Sequence, residues 1–84
     1  MSILKEHLEF PQDFTFKVIG DNTPHFEFDV EEIFVSYPER IITAKISANQ
    51  KYISYSVAVR LESYEELEAL YAKISALRGL KFYC

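Results

Sequence analysis

Tyr52-Ile53-Ser54-Tyr55-Ser56-Val57-Ala58-Val59-Arg60-Leu61 alternates without interruption over ten residues. Ile53, Tyr55, Val57, Val59 and Leu61 fall on one side; Tyr52, Ser54, Ser56, Ala58 and Arg60 fall on the other. Successive side chains of a strand project to opposite faces, so the run reads as a strand with one buried face and one open face. Upstream, Ile41–Ala48 alternates in the same way, with Ile42, Ala44 and Ile46 inward and Thr43, Lys45 and Ser47 outward. Placing Ile46 opposite Ile53 and Ser47 opposite Tyr52 matches both faces and calls for an even-numbered hairpin loop around Asn49-Gln50. A two-residue type I′ turn would force Gln50 to positive φ, and a four-residue loop competes with it.

The flanks supply the remaining elements. Phe14–Ile19 alternates as a strand with Phe14, Phe16 and Val18 inward, and Gly20-Asp21-Asn22 reads as a turn. Thr23-Pro24 then starts a helix, because Thr is a good N-cap and Pro suits a first position whose N–H would have no partner. Phe26, Val30, Ile33, Phe34 and Tyr37 lie on one face of that helix, and Pro38 stops it. Ser63 and Glu66 form a capping box ahead of the stripe Leu67, Leu70, Tyr71, Ile74 and Leu77. Arg78 in the last turn suits the dipole, and Gly79 is the expected left-handed terminator. Leu80–Cys84 closes the chain as a short strand with Leu80, Phe82 and Cys84 inward, and Lys81 and Tyr83 outward.

The order βαββαβ predicts an α+β, ferredoxin-like sandwich: a four-stranded antiparallel sheet of order 4-1-3-2 with two helices on one face. The 84 residues make a single domain, with residues 1–11 packing on it as an N-terminal segment in which Ser2–Leu8 forms a short helical turn. A composition that is 49% hydrophobic, with seven Phe and six Tyr, supplies a core despite the short length.

The run Leu8-Glu9-Phe10-Pro11, followed by Phe14-Thr15-Phe16-Lys17-Val18-Ile19-Gly20, resembles the start of the YbeD-like family of small bacterial proteins. The resemblance continues through Ser47, Tyr52-x-Ser54-x-Ser56, the Leu70-Tyr71 helix and the last strand. It departs at Gln50, where that family usually turns on Gly. It implies a one-domain ferredoxin-like protein similar in shape to ACT-type regulatory domains, and it implies no particular activity.

Function then turns on the open face. The outward set holds Lys17, Lys45, Arg60 and Lys81, four of the nine basic residues, interleaved with Thr15, Thr43, Ser47, Ser54, Ser56 and Tyr52. On these strand boundaries no carboxylate joins them, although the net charge is −4. A hydroxyl-lined, cationic face on an acidic molecule suits a small anionic ligand or an acidic protein partner; solvated edge-blunting lysines are the simpler account. The ACT-like shape points elsewhere, to Gly20, Asp21, Asn22 and Thr23. There the helix N-terminus would take a carboxylate and Asp21 an amine, between two copies of a homodimer. RNA recognition on this fold needs aromatics on the central strands; here Thr15, Lys17, Ser54, Ser56 and Ala58 stand in those places, so nucleic acid is not the expected partner.

No nucleophile motif, phosphate-binding glycine loop or metal-ligand spacing is present. The expectation is therefore a non-enzyme without cofactor or metal. Cys84, the one cysteine, cannot form an internal disulfide, which suits a reducing cytoplasmic setting. Met1–Phe10 is too charged for a signal peptide, and no run approaches a membrane span. One oddity remains: Phe28 and Val35 lie opposite the buried stripe of the first helix, among Glu27, Glu31 and Glu32. The N-terminal residues Ile3, Leu4 and Leu8 are expected to cover them, with a partner chain as the alternative.

Overall fold

The computed structural model describes residues 8–84. The expected helical turn over Ser2–Leu8 lies outside the described residues except for Leu8, which is not helical. The elements follow the predicted order: β1 (Gln12–Asp21), α1 (Pro24–Ile33), β2 (Ile41–Ile46), β3 (Tyr52–Leu61), α2 (Tyr64–Ser75) and β4 (Leu80–Tyr83). The sheet is antiparallel with strand order β2-β3-β1-β4, and both helices pack on one side of it.

β3 is central and keeps its alternation, with Ile53, Tyr55, Val57, Val59 and Leu61 all buried. Its partner β1 is longer than the hydrophobic pattern suggested. Gly20 and Asp21 belong to the strand, and the ladder runs from Gln12 opposite Leu61 to Asp21 opposite Tyr52. Gly20 is required there by space, since a Cβ would stand 2.2 Å from Cζ of Phe26. That ring fills the gap left by the missing side chain and carries α1 down onto the sheet.

α1 starts as expected: Thr23 is extended and its hydroxyl accepts from the Phe26 N–H at 3.3 Å. It stops at Ile33 rather than continuing to Tyr37. Phe34 serves as C-cap, donating its N–H to Glu31, and remains fully buried against Phe16. α2 is capped by Ser63, whose hydroxyl accepts from the Glu66 N–H. The Glu66 carboxylate accepts from the Glu62 N–H at 3.2 Å and from the Tyr37 hydroxyl at 2.9 Å, tying the exit of α1 to the start of α2. This helix ends at Ser75, so its last-turn cation is Lys73. Arg78 instead reaches Asp29 of α1 at 3.3 Å, and Gly79, at φ +83°, turns the chain into β4.

The hairpin pairs Ile46 with Ile53, and Ser47 donates its N–H to Tyr52. The loop has four residues, yet Gln50 still has φ +63°. Neighbouring bonds offset the cost: the Asn22 amide donates to the Gln50 carbonyl, and the Asn49 side-chain oxygen accepts from the Lys51 N–H.

The largest departure is in β4. Leu80 stands opposite Gly20, but Phe82 stands opposite Ile19 and Tyr83 opposite Val18, with a bulge between. The extra residue reverses the alternation. Tyr83 therefore faces the helices, 6.1 Å from the Tyr71 ring, while Phe82 and Cys84 face the open side. Cys84 exchanges both backbone bonds with Lys17, an outward position. The expected facing of Phe82, Tyr83 and Cys84 is thus inverted, whereas Leu80 packs inward as predicted.

Candidate functional site

On the open side the register sets the residues in rows across the strands. Lys17, Ser56 and Thr43 form one row, and Ile19, Ser54 and Lys45 the next. Beyond them lie Asp21 with Tyr52 at the hairpin end and Asp13 with Arg60 at the other. At usual strand spacings, Lys17 and Lys45 are diagonal neighbours about 12 Å apart at Cα, with the serines of β3 between them. Lys17, Lys45, Tyr52, Ser54, Ser56 and Arg60 all share this face.

The face is not free of carboxylates. Because β1 includes its terminal residues, Asp13 and Asp21 join it, and both are engaged: Asp13 lies 3.4 Å from Arg60 and Asp21 lies 3.7 Å from Lys81. These pairs are well exposed, and such pairs contribute about 0–1 kcal/mol. Their effect is to partition the cations. Arg60 and Lys81 have acidic partners; Lys17 and Lys45 form no ion pair among the described residues. Ser47 is also committed, to Asn49 and to the Tyr52 N–H, which leaves Ser54 and Ser56 as the hydroxyls between the two free lysines. Extending the predicted strand Phe14–Ile19 by two residues in each direction would have located both acids from the sequence.

A cavity of about 690 Å³ opens at the hairpin end of this face, with Ile19, Lys45, Tyr52, Ser54 and Lys81 in its lining. Phe82, 54% exposed, stands beside Ile19. The sequence pattern missed Phe82, since the bulge that turns it outward leaves no periodic trace.

The alternative corner is divided between the two sides of the sheet. Gly20 is filled by Phe26, and Asp21 is on the open face with Lys81. Asn22 and Thr23 instead line a separate cavity of about 220 Å³ on the helix side, with Pro24, Glu27, Ile46 and Tyr55. Tyr55 is buried, its hydroxyl has no hydrogen-bond partner among the described residues, and burial with the nearby charges of Glu27 and Glu31 raises its pKa.

Phe28 and Val35 are exposed, 64% and 63%, beside Glu27, Glu31, Glu32 and Arg40. Of the residues expected to cover them, Ile3 and Leu4 lie outside the described residues, and Leu8 packs against the main core. His25 is exposed. Among the described residues no group of three or more His, Cys, Asp and Glu is placed to hold a metal, and no helix is long and apolar enough to cross a membrane.

Residues 5–84 match the model of a family described as "Protein of unknown function (DUF493)". Curated relatives include a UPF0250 protein of Shewanella amazonensis, 31% identical over 78 residues, covering 90% of this chain and 89% of that one. Another, from Haemophilus influenzae, is 32% identical over 80 residues and covers 93% and 87%. Among solved structures, a solution structure of an H. pylori protein superimposes with TM-score 0.69 at 21% identity, covering 92% and 85%. The ACT domain from the GTP pyrophosphokinase of Chlorobium tepidum gives TM-score 0.66 at 13% identity, covering 87% and 97%. At those identities the structural matches establish a shared ferredoxin-like, ACT-like fold, and the fold carries no function with it.

Proposed function

Starting from the chain's membership of the DUF493 family, we propose that it works by binding, without catalysis, and that its open sheet face takes the carboxylate or phosphate of a small ligand or of an acidic protein partner. One observation supports this above the others: Lys17 and Lys45, without ion pairs among the described residues, flank Ser54 and Ser56 on an otherwise acidic protein. Ammonium groups and hydroxyls on one side supply charge-assisted donors, and the two carboxylates of the face are engaged by Arg60 and Lys81. Titration with inorganic phosphate and, separately, with an acidic peptide, followed by amide chemical shifts, tests the reading. Shifts centred on Lys17, Lys45, Ser54 and Ser56 are expected, with at least fivefold weaker binding in Lys17→Gln/Lys45→Gln. Arg60→Gln should matter less, since Asp13 already neutralises that charge. Undiminished affinity in the double variant overturns the proposal.

The buried Tyr55 hydroxyl, beside Asn22 and Thr23 and without a hydrogen-bond partner among the described residues, favours a second reading, a small-molecule sensor of ACT type acting as a homodimer. Such a sensor would sediment as a dimer and gain thermal stability with an amino acid, more in the parent than in Tyr55→Phe. A strict monomer that ignores amino acids removes it.

A further inference from the structure

The geometry points to a discrete site within the open face, at its hairpin end, for an organic anion carried on an apolar body. The inference rests on reading that face as anion-binding, and it adds the part of the ligand that no cation can recognise. The cavity of about 690 Å³ lies in the size range of small-molecule sites. Its two lysines come from opposite margins of the sheet, Lys45 on β2 and Lys81 on β4. Three strand spacings, about 14 Å, separate those strands. The floor between them is mainly apolar, with Ile19 and the Tyr52 ring, and carries the hydroxyls of Ser54 and Tyr52. An inorganic anion would meet one ammonium and leave that floor wet; a carboxylate, sulfonate or phosphate ester on an apolar body satisfies both.

The β4 bulge supplies an independent reason. A regular strand would send only one of Lys81 and Phe82 to the open side. The register shift brings Lys81 to Asp21 and into the cavity lining while setting Phe82 opposite Ile19 on the same side. One extra residue thus delivers a cation and an aromatic ring to the same end of the face, and bulges recur where a side chain must be re-aimed. Asp21, at 3.7 Å, holds Lys81 at the rim through an exposed pair that a bound anion can displace. A second exposed apolar groove, at Phe28 and Val35, is lined by Glu27, Glu31 and Glu32 against one cation, Arg40, so its net charge disfavours an anion and it serves as an internal control.

The test uses the full chain and 1-anilinonaphthalene-8-sulfonate, an aromatic sulfonate whose fluorescence rises in apolar surroundings, with inorganic sulfate and neutral N-phenyl-1-naphthylamine as comparison arms. Saturable one-site binding of the sulfonate is expected, with amide shifts at Ile19, Tyr52, Ser54 and Phe82. Both comparison probes should bind at least tenfold more weakly. Lys45→Gln/Lys81→Gln should weaken the sulfonate at least fivefold with native near-ultraviolet circular dichroism, and Ile19→Thr should weaken it without changing sulfate. Shifts centred on Phe28 and Val35, or equal affinity in the double variant, overturn the inference. If phosphate still depends on Lys17 and Lys45 while the sulfonate ignores Lys81 and Ile19, this site falls and the broader reading stands. Loss of both dependences removes both.

Discussion

A methyl group at Gly20 would stand 2.2 to 2.7 Å from three atoms of the Phe26 ring, a ring that is itself fully buried. The position lies mid-sheet opposite Ile53, so neither backbone nor ring has an easy way to yield. Gly20→Ala should therefore destabilise the protein by about 2–3 kcal/mol through overpacking, measured by urea denaturation, with part of the loss recovered in Gly20→Ala/Phe26→Leu. The sequence marked Gly20 as a turn residue because Gly20-Asp21-Asn22 looks like one. What decides its role is the volume of a ring six positions away, and local composition carries no record of that. The same blindness hid the charges: the predicted strand Phe14–Ile19 leaves Asp13 outside and Asp21 in a turn, although a ladder that continues to Gln12 and Asp21 places both on the face with Arg60 and Lys81.

Helix starts were legible and helix ends were not. Thr23 and Ser63 announce themselves chemically, and each hydroxyl accepts the N–H three residues on. The stops at Ile33 and Ser75 come earlier than the apolar stripes suggest, since Phe34, Tyr37 and Leu77 still pack on the core from beyond the helix ends. Tyr37 also does something the stripe could not reveal, donating to the Glu66 carboxylate that helps open α2. Burial first, then that hydrogen bond and the carboxylate charge, push its pKa from 10.0 to about 12. A folded-state pKa above the unfolded one means that the stabilising contribution is fully present below pH 10 and is lost as pH climbs from 10 through about 12. Tyr37→Phe should consequently show a shallower fall in stability across that window than the parent, read from denaturant midpoints at several pH values. Parallel curves would mean that the hydroxyl has no special partner in the fold. In β4, a strand of four residues with one inserted position offers little period to detect, so its facing was legible at Leu80 and Lys81 and not beyond the bulge.

Taken together, the elements form a layered domain with one face of the sheet sealed and the other wet. The core joins Phe16, Val18 and the inner side of β3 to Phe26, Val30, Leu70 and Ile74 of the helices. β1 and β3 each have neighbours on both edges, while β2 and β4 each have one. Native-state hydrogen exchange should therefore rank β1 and β3 amides as the most protected, near the global unfolding free energy, with β2 and β4 opening below it. Equal protection across all four strands would refute this ordering. The overall architecture was open to inference because β3 alternates cleanly and fixes the register of its neighbours. The hairpin-end cavity was not, because it arises where the bulge, the four-residue loop and the open face meet, and each lies outside any one segment's periodicity.

The antiparallel pairing of β4 with β1 also has a mechanical side. Cys84 leaves the sheet beside Lys17, and the ladder continues back through Tyr83 and Phe82 to Leu80 beside Gly20. A pull on Cys84 directed away from the sheet edge loads these bonds one at a time, from Lys17 inward, instead of sharing the force among them. Such a tug peels β4 off while the β1–β3 ladder from Gln12 to Asp21 stays closed. The strand that yields first is the one carrying Lys81 and Phe82, so traction on Cys84 would take away one wall of the cavity and spare Lys45, Tyr52 and Ser54.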